Sequence, residues 1–287
     1  MTPLSGAKNA RIGVVVLLCR GLKILLAAVI GGLIILYFFQ DKLLFFPQAI
    51  PESKLVQIRT MGNKVEPINL QMKDGTAVRG WFVKNSERDK AKVIIVYGGN
   101  AEELSYLIDI SRKMGNWSVV LMNYRGYGQS EGTPSEKNLC SDALEIYDYF
   151  SHREDVDNSK IVVMGRSLGT GVATYVASHR NPIAAILISP YDSIANIAKE
   201  VHPNLPVDLM LKHRFDSISL AASIQIPLHV LIATDDILIK PWHSRALVER
   251  WGGKVDVQEI QGANHDAIIG RTECWESIIQ FLKSLED

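Results

Sequence analysis

"VVMGRSLGTGVA", residues 162–173, decides the fold because it can be read in two ways that need different partners elsewhere in the chain. Gly165, Gly169 and Gly171 make a G-x-x-x-G-x-G spacing, as in a glycine-rich turn that cradles nucleotide phosphates. Gly165, Ser167 and Gly169 make G-x-S-x-G, a turn that presents a nucleophilic serine. Both readings need a buried strand before the turn and a helix after it. "KIVVM" (160–164) and "LGTGVATYVASHR" (168–180) supply both. A nucleotide turn belongs on the first strand–helix unit, with an acid about 20 residues later at the end of the next strand. Here two parallel units precede the turn, and the next strand, "IAAILIS" (183–189), runs into Ser189-Pro190 with Asp192 as the nearest acid. No lysine stands where a phosphate loop needs one. The context rejects the nucleotide reading.

The serine reading must also beat chance, since G-x-S-x-G arises by composition in roughly one chain of this size in ten. A serine hydroxyl is inert at neutral pH without a base, and the base needs an orienting acid. In a strand–turn–helix frame these follow in the order serine, acid, histidine, each after a late strand. "LHVLIATDDILIKP" puts Asp235 and Asp236 just beyond a strand, and "VDVQEIQGANHDAII" puts His265 in a loop after the last one. Asp236 is favoured over Asp235, which lies nearer the strand, and Asp266 is read as a solvated loop acid. The expected catalytic set is therefore Ser167, Asp236 and His265. Catalysis also needs backbone N–H groups aimed at a developing oxyanion. One is expected from Leu168, just after the serine, and one from Asn100 in "YGGNAEEL", although that stretch would equally serve as a plain strand-to-helix cap.

Working outward, "KVIIVY" (92–97), "SVVLMN" (118–123), "KIVVM", "IAAILIS", "LHVLIA" (228–233) and "VDVQEI" (255–260) are short apolar runs, and helical segments are predicted over 101–115, 135–152, 168–180, 242–251 and 271–285. Strands buried on both faces and alternating with helices predict a mostly parallel sheet covered on each side. Before them "LVQIRT" (55–60), "PINLQM" (67–72) and "TAVRGWFV" (76–83) alternate, and predict antiparallel opening strands. Residues 190–226 are too long for one crossover and are cut by Pro203 and Pro206. They read as a small helical insertion over the carboxyl end of the sheet, with Ile194, Ile197, Leu205, Leu209, Met210 and Leu211 as apolar lining for a pocket or as the insertion's own core.

The chain has 287 residues, 47% hydrophobic and 22% charged, with a formal net charge of zero. Nothing basic attracts a phosphate backbone, so no nucleic-acid partner is expected. The three cysteines, Cys19, Cys140 and Cys274, form no C-x-x-C pair, the seven histidines are scattered, and no H-E-x-x-H occurs. Neither metal nor cofactor is expected. Residues 1–40 contain no acid but carry Lys8, Arg11, Arg20 and Lys23, and "ILLAAVIGGLIILYFF" (24–39) is an uninterrupted apolar run of 16 residues. As a helix it measures about 24 Å at roughly 1.5 Å per residue, short of a ~30 Å hydrocarbon core. Continuation into "LLFFP" (43–47) or snorkelling by Arg20 and Lys23 makes up the difference. No small residues follow for cleavage, so an uncleaved single-pass anchor over 1–47 is expected, with the main domain at 48–287. The basic flank places that domain on the non-cytoplasmic side.

With these residues placed, the chain resembles the α/β-hydrolase superfamily, most closely its membrane-anchored serine hydrolases of lipase, lysophospholipase and acyl-protein thioesterase type. The resemblance runs from about Leu55 to the C-terminus. It rests on "GGNAEEL", "NYRGYGQSEGTPSE" (123–136), "GRSLGTGVA", "SPYDSI" (189–194), "RFDS" (214–217), "TDDILIKPWHS" and "GANHD". It implies the α/β-hydrolase fold and hydrolysis of an ester or thioester of acyl or lipid type, with catalytic roles for Ser167, Asp236 and His265. The competing expectation is a catalytically weak or inactive scaffold. One departure favours that alternative: such proteins usually have His-Gly-Asn-Ala where this chain has Gly98-Gly99-Asn100-Ala101.

Overall fold

The computed structural model describes residues 4–85 and 89–286, with side chains described from Leu17 onward except that of Cys19. The side chains of Lys8, Arg11 and Cys19 therefore lie outside the described residues. In chain order the elements are α1 (Leu4–Leu44), α2 (Glu52–Arg59), β1 (Val65–Gln71), β2 (Ala77–Val83), β3 (Ala91–Tyr97), α3 (Ile108–Ser111) and β4 (Trp117–Met122). There follow α4 (Glu136–Ser151), β5 (Val156–Arg166), α5 (Leu168–His179), β6 (Ala184–Ile188), α6 (Ile194–Val201), α7 (Val207–Met210) and α8 (Ser217–Ala221). The chain closes with β7 (Leu228–Ala233), α9 (Pro241–Arg250), β8 (Val255–Ile260) and α10 (Thr272–Ser284).

Eight strands form one sheet in the order β1-β2-β4-β3-β5-β6-β7-β8. β1 and β2 pair antiparallel with each other and β2 antiparallel with β4, and every later pair is parallel. This is the expected sheet. β3, β4, β6 and β7 are buried along their whole length, because helices cover both faces. The edge strand β8 is not, and only Ile260 is buried. Two cores lie on opposite faces, one under α4 and α5 around Val163, Leu187 and Phe150, the other around Ile94, Val162, Ile186 and Cys274.

Two expected elements differ. "LVQIRT" is helical, within α2, rather than a strand. Its apolar residues are equally consistent with a helical spacing, since Leu55 and Ile58 stand three apart and pack on the same core. The crossover predicted as a helix over 101–115 contains a 3₁₀ turn (Leu104–Leu107) and the short α3. Glu103 caps that turn by accepting from the Ser105 N–H, and the Leu104 N–H donates to the Asn123 side chain, so helix begins only beyond Glu103.

The insertion is helical, as expected, and consists of α6, α7 and α8. His243 on α9 ties it down, its Nδ1 2.7 Å from Asp192 and its Nε2 3.0 Å from Glu200. α1 is a single helix, and its apolar part, Arg20–Leu44, is 25 residues long. That is about 37 Å at roughly 1.5 Å per residue, enough to cross a ~30 Å hydrocarbon core. None of these 25 residues is buried by the rest of the chain, whereas Phe45, immediately after them, is.

Candidate active site

β5 ends on Arg166, and α5 begins at Leu168, so Ser167 alone makes the turn. It does so at φ 50° and ψ −122°, a conformation that L residues avoid. The tightness of the turn explains its two glycines. A Cβ on Gly165 would lie 2.4 Å from the Gly169 carbonyl oxygen, and one on Gly169 would lie 2.1 Å from that of Tyr97. The Ser167 N–H donates to the Ile188 carbonyl at 2.9 Å, which fixes the strained residue to the end of β6. The Leu168 carbonyl accepts from the Tyr191 hydroxyl at 3.0 Å. Burial pushes that phenol well above its ordinary range, so it remains a donor.

The structure brings Ser167, His265 and Asp236 together. His265 Nε2 is 2.8 Å from Ser167 Oγ, and its Nδ1 is 2.6 Å from Asp236 Oδ2. All three are buried. Asp236 Oδ1 accepts from the N–H groups of Leu238 and Ile239 at 2.9 and 2.8 Å, so the loop after β7 holds the carboxylate in place. With the carboxylate accepting from Nδ1–H, Nε2 is left unprotonated towards the serine. Asp235 turns away: its backbone N–H donates to Ala263, and its carboxylate accepts from Thr234. Asp266 is exposed, although Arg166 Nη2 reaches it at 3.2 Å.

Asn100 and Leu168 flank this group on the loop after β3 and at the start of α5. Among the described residues neither backbone N–H donates to a protein acceptor, whereas the Gly99 N–H is taken by Glu102 Oε2 at 2.5 Å. The long motif at 123–136 braces this loop. Asn123 binds Leu104 and Glu103, the Tyr124 hydroxyl donates to the Gly98 carbonyl at 3.0 Å, and the Tyr127 hydroxyl donates to the Asn100 carbonyl at 2.6 Å. Burial raises both phenols, Tyr127 to about 12 and Tyr124 well above its normal range, and this keeps them protonated as donors. The Asn100 carbonyl accepts a second bond, from the Phe46 N–H at 2.9 Å. The exit of α1 is thus hydrogen-bonded to this loop.

Sequence reasoning missed Glu102 and Arg166. Their side chains form a part-buried ion pair, and Arg166 Nη2 also donates to the His265 carbonyl at 3.1 Å. Glu102 accepts from Gly99, Tyr106 and Arg166, so one carboxylate links the loop after β3 to the serine's neighbour, and through it to the histidine loop. The same carboxylate stands where a side chain at 98 would extend. A Cβ on Gly98 would lie 2.8 Å from Leu104 Cδ2 and 3.4 Å from Glu102. The only sequence signal was an acid in "GGNAEEL" and a base beside the serine with no role assigned to either.

Comparison with known proteins agrees with this architecture. A family model described as alpha/beta hydrolase fold matches residues 93–215. An uncharacterised protein of Mycobacterium tuberculosis is 31% identical over 253 residues, covering 86% of this chain and 89% of its own. The alpha/beta hydrolase domain-containing protein WAV2 of Arabidopsis thaliana is 28% identical, covering 89% and 91%. An uncharacterised membrane protein of Saccharomyces cerevisiae is 28% identical, covering 86% and 90%. Among solved structures, an esterase of Pyrococcus furiosus superposes with a TM-score of 0.66 at 17% identity, covering 84% of this chain and 97% of that one. With the sheet order, the strained serine turn and these relatives in agreement, the chain belongs to the alpha/beta hydrolase family.

Proposed function

We propose that the protein is a membrane-anchored serine hydrolase that cleaves carboxylic ester or thioester bonds of acyl or lipid-type substrates. The observation that carries this reading is the unbroken hydrogen-bond chain from Ser167 Oγ through His265 to Asp236, with the serine held on a strained strand-to-helix turn. In the proposed reaction Ser167 Oγ adds to the acyl carbon while His265 Nε2 takes its proton, and Asp236 stabilises the resulting imidazolium. The N–H groups of Asn100 and Leu168 receive the oxyanion. Collapse of the tetrahedral species breaks the bond to the alcohol or thiol, which leaves with the proton from His265. Water, deprotonated by the same imidazole, then releases the acid and restores Ser167.

The membrane part of the proposal rests on the apolar length of Arg20–Leu44 and on the yeast relative named as a membrane protein. Residues 1–47 are the anchor and its junction, and 48–287 are the hydrolase domain. By the positive-inside rule, the basic residues before the span support an orientation with that domain on the non-cytoplasmic side. An inactive scaffold is the weaker reading, because Glu102 supplies bonds to the loop that lacks the usual histidine. A fluorophosphonate probe decides between them: the wild type labels and Ser167→Ala does not. Wild-type protein that resists labelling, or labelling that persists in the variant, overturns the nucleophile assignment.

A further inference from the structure

A cavity of about 250 Å³ lies away from Ser167. It lies between the last turns of α1, which contribute Leu36, Leu43 and Leu44, and the helical insertion α6–α8, here termed the cap, which contributes Ala198, Leu205 and Met210. Sequence alone had suggested a pocket lined by the insertion. The structure makes α1 the other wall, and leaves Leu209 exposed instead of lining it. We propose that this groove seats one acyl chain of a bilayer lipid, which leaves the membrane sideways along α1 and is directed towards Ser167.

Several observations fix the occupant. One wall belongs to Arg20–Leu44, so the groove is continuous with the surface that faces hydrocarbon when α1 crosses a bilayer. Of its polar lining residues, Gln40 and His213 are already bonded inside the protein, and His202 is exposed. Gln40 donates to the carbonyls of Tyr37 and Met210 and accepts from the Lys212 N–H. His213 Nδ1 accepts from the Glu136 N–H, which leaves Nε2–H for Asp41 at 2.7 Å. A soluble ligand would need convergent polar groups to orient it, whereas a hydrocarbon chain needs none. A second helix, about 10 Å across with its side chains, is too bulky for a volume of about 250 Å³. The volume corresponds to about eight water-sized groups at roughly 30 Å³ each, the scale of part of one acyl chain.

The chain connects both walls to elements of the candidate active site. From Leu44 the chain reaches Phe46, whose N–H is bonded to the Asn100 carbonyl. From Ile194 it runs back through Ser189 to Ile188, whose carbonyl holds the Ser167 N–H. What happens to a seated chain rests on the hydrolase reading above, but the seating itself does not.

The test uses the full-length protein in phosphatidylcholine vesicles containing a small fraction of phosphatidylcholine with a diazirine at the methyl end of one acyl chain. Photolabel is expected on the cap peptide 194–211 as well as on α1. Ala198→Trp and Leu205→Trp, at half-buried groove positions, should each reduce cap labelling at least fivefold, with labelling of 22–34 and the thermal melt unchanged. Absence of cap labelling, or undiminished labelling in both variants, overturns the proposal. Fluorophosphonate labelling of Ser167 on the same samples reads the nucleophile separately, so its failure sinks the hydrolase reading and leaves the photolabelling outcome intact. If both hold, the two variants lower kcat/KM for p-nitrophenyl laurate more than tenfold and leave the acetate within twofold.

Discussion

At the scale of single residues, the proposed chemistry turns on which atoms Asp236 and Asp235 face. Asp236 reaches His265 at 2.6 Å while receiving two backbone N–H bonds, and Asp235 bonds to Thr234 in its own loop and to Ala263. Asp236→Asn is expected to lower kcat by several orders of magnitude, about 10⁴-fold where the tautomer is reversed, with little change in melting temperature. Asp235→Asn should stay within a few-fold of wild type, and the opposite ranking would reassign the acid. The base must be neutral to accept the serine proton, so kcat/KM should fall on the acid side of its profile. Activity that stays flat to about pH 4, where an ordinary imidazole is fully protonated, contradicts a histidine base. The proximity of Ser167, Asp236 and His265 was legible in the sequence, because strand ends and chain order constrain where such residues can stand.

At the scale of elements, the loop after β3 is braced from three sides: by Tyr124 and Tyr127 from the segment after β4, by Glu102 from within, and by Phe46 from the exit of α1. Tyr127→Phe removes one of two bonds to the Asn100 carbonyl and leaves the Phe46 bond. A bond of this kind contributes about 1–1.5 kcal/mol, so kcat should fall roughly five- to tenfold with KM within twofold. A change confined to KM, or no kinetic change, would show that the brace does not act on the transition state. The motif at 123–136 stood out in the sequence, but its purpose did not. Its hydrogen bonds reach residues about 20 to 27 positions earlier and become adjacent only when β3 and β4 pair.

At the scale of the whole molecule, the end of α1 packs into the α/β core. Phe45 is buried against the core near Phe215 and His213, and Asp41 and Gln40 bind the cap. A soluble form beginning at Asp41 should therefore melt higher than one beginning at Gln48. Deleting a buried phenylalanine costs about 3–5 kcal/mol, and each kcal/mol is worth about 2–4 °C in a domain of this size, so a difference of roughly 6–20 °C is expected by calorimetry. Equal melting temperatures would show that the contacts around Phe45 contribute nothing to stability.

What the sequence determined by itself was whatever depends on local pattern and chain order: the parallel strands from their apolar runs, the serine turn from its glycines, the order of Ser167, Asp236 and His265, and an apolar N-terminal helix. It misread 55–60, where six residues fit both periods, and 101–115, where a side-chain cap delays the helix. Only the tertiary structure decided how Glu102 and Arg166 link the two loops around the serine, and that α1 forms half of a groove with the cap. Those contacts join residues 64 to about 170 positions apart, and no periodicity in a linear chain encodes which distant surfaces will meet.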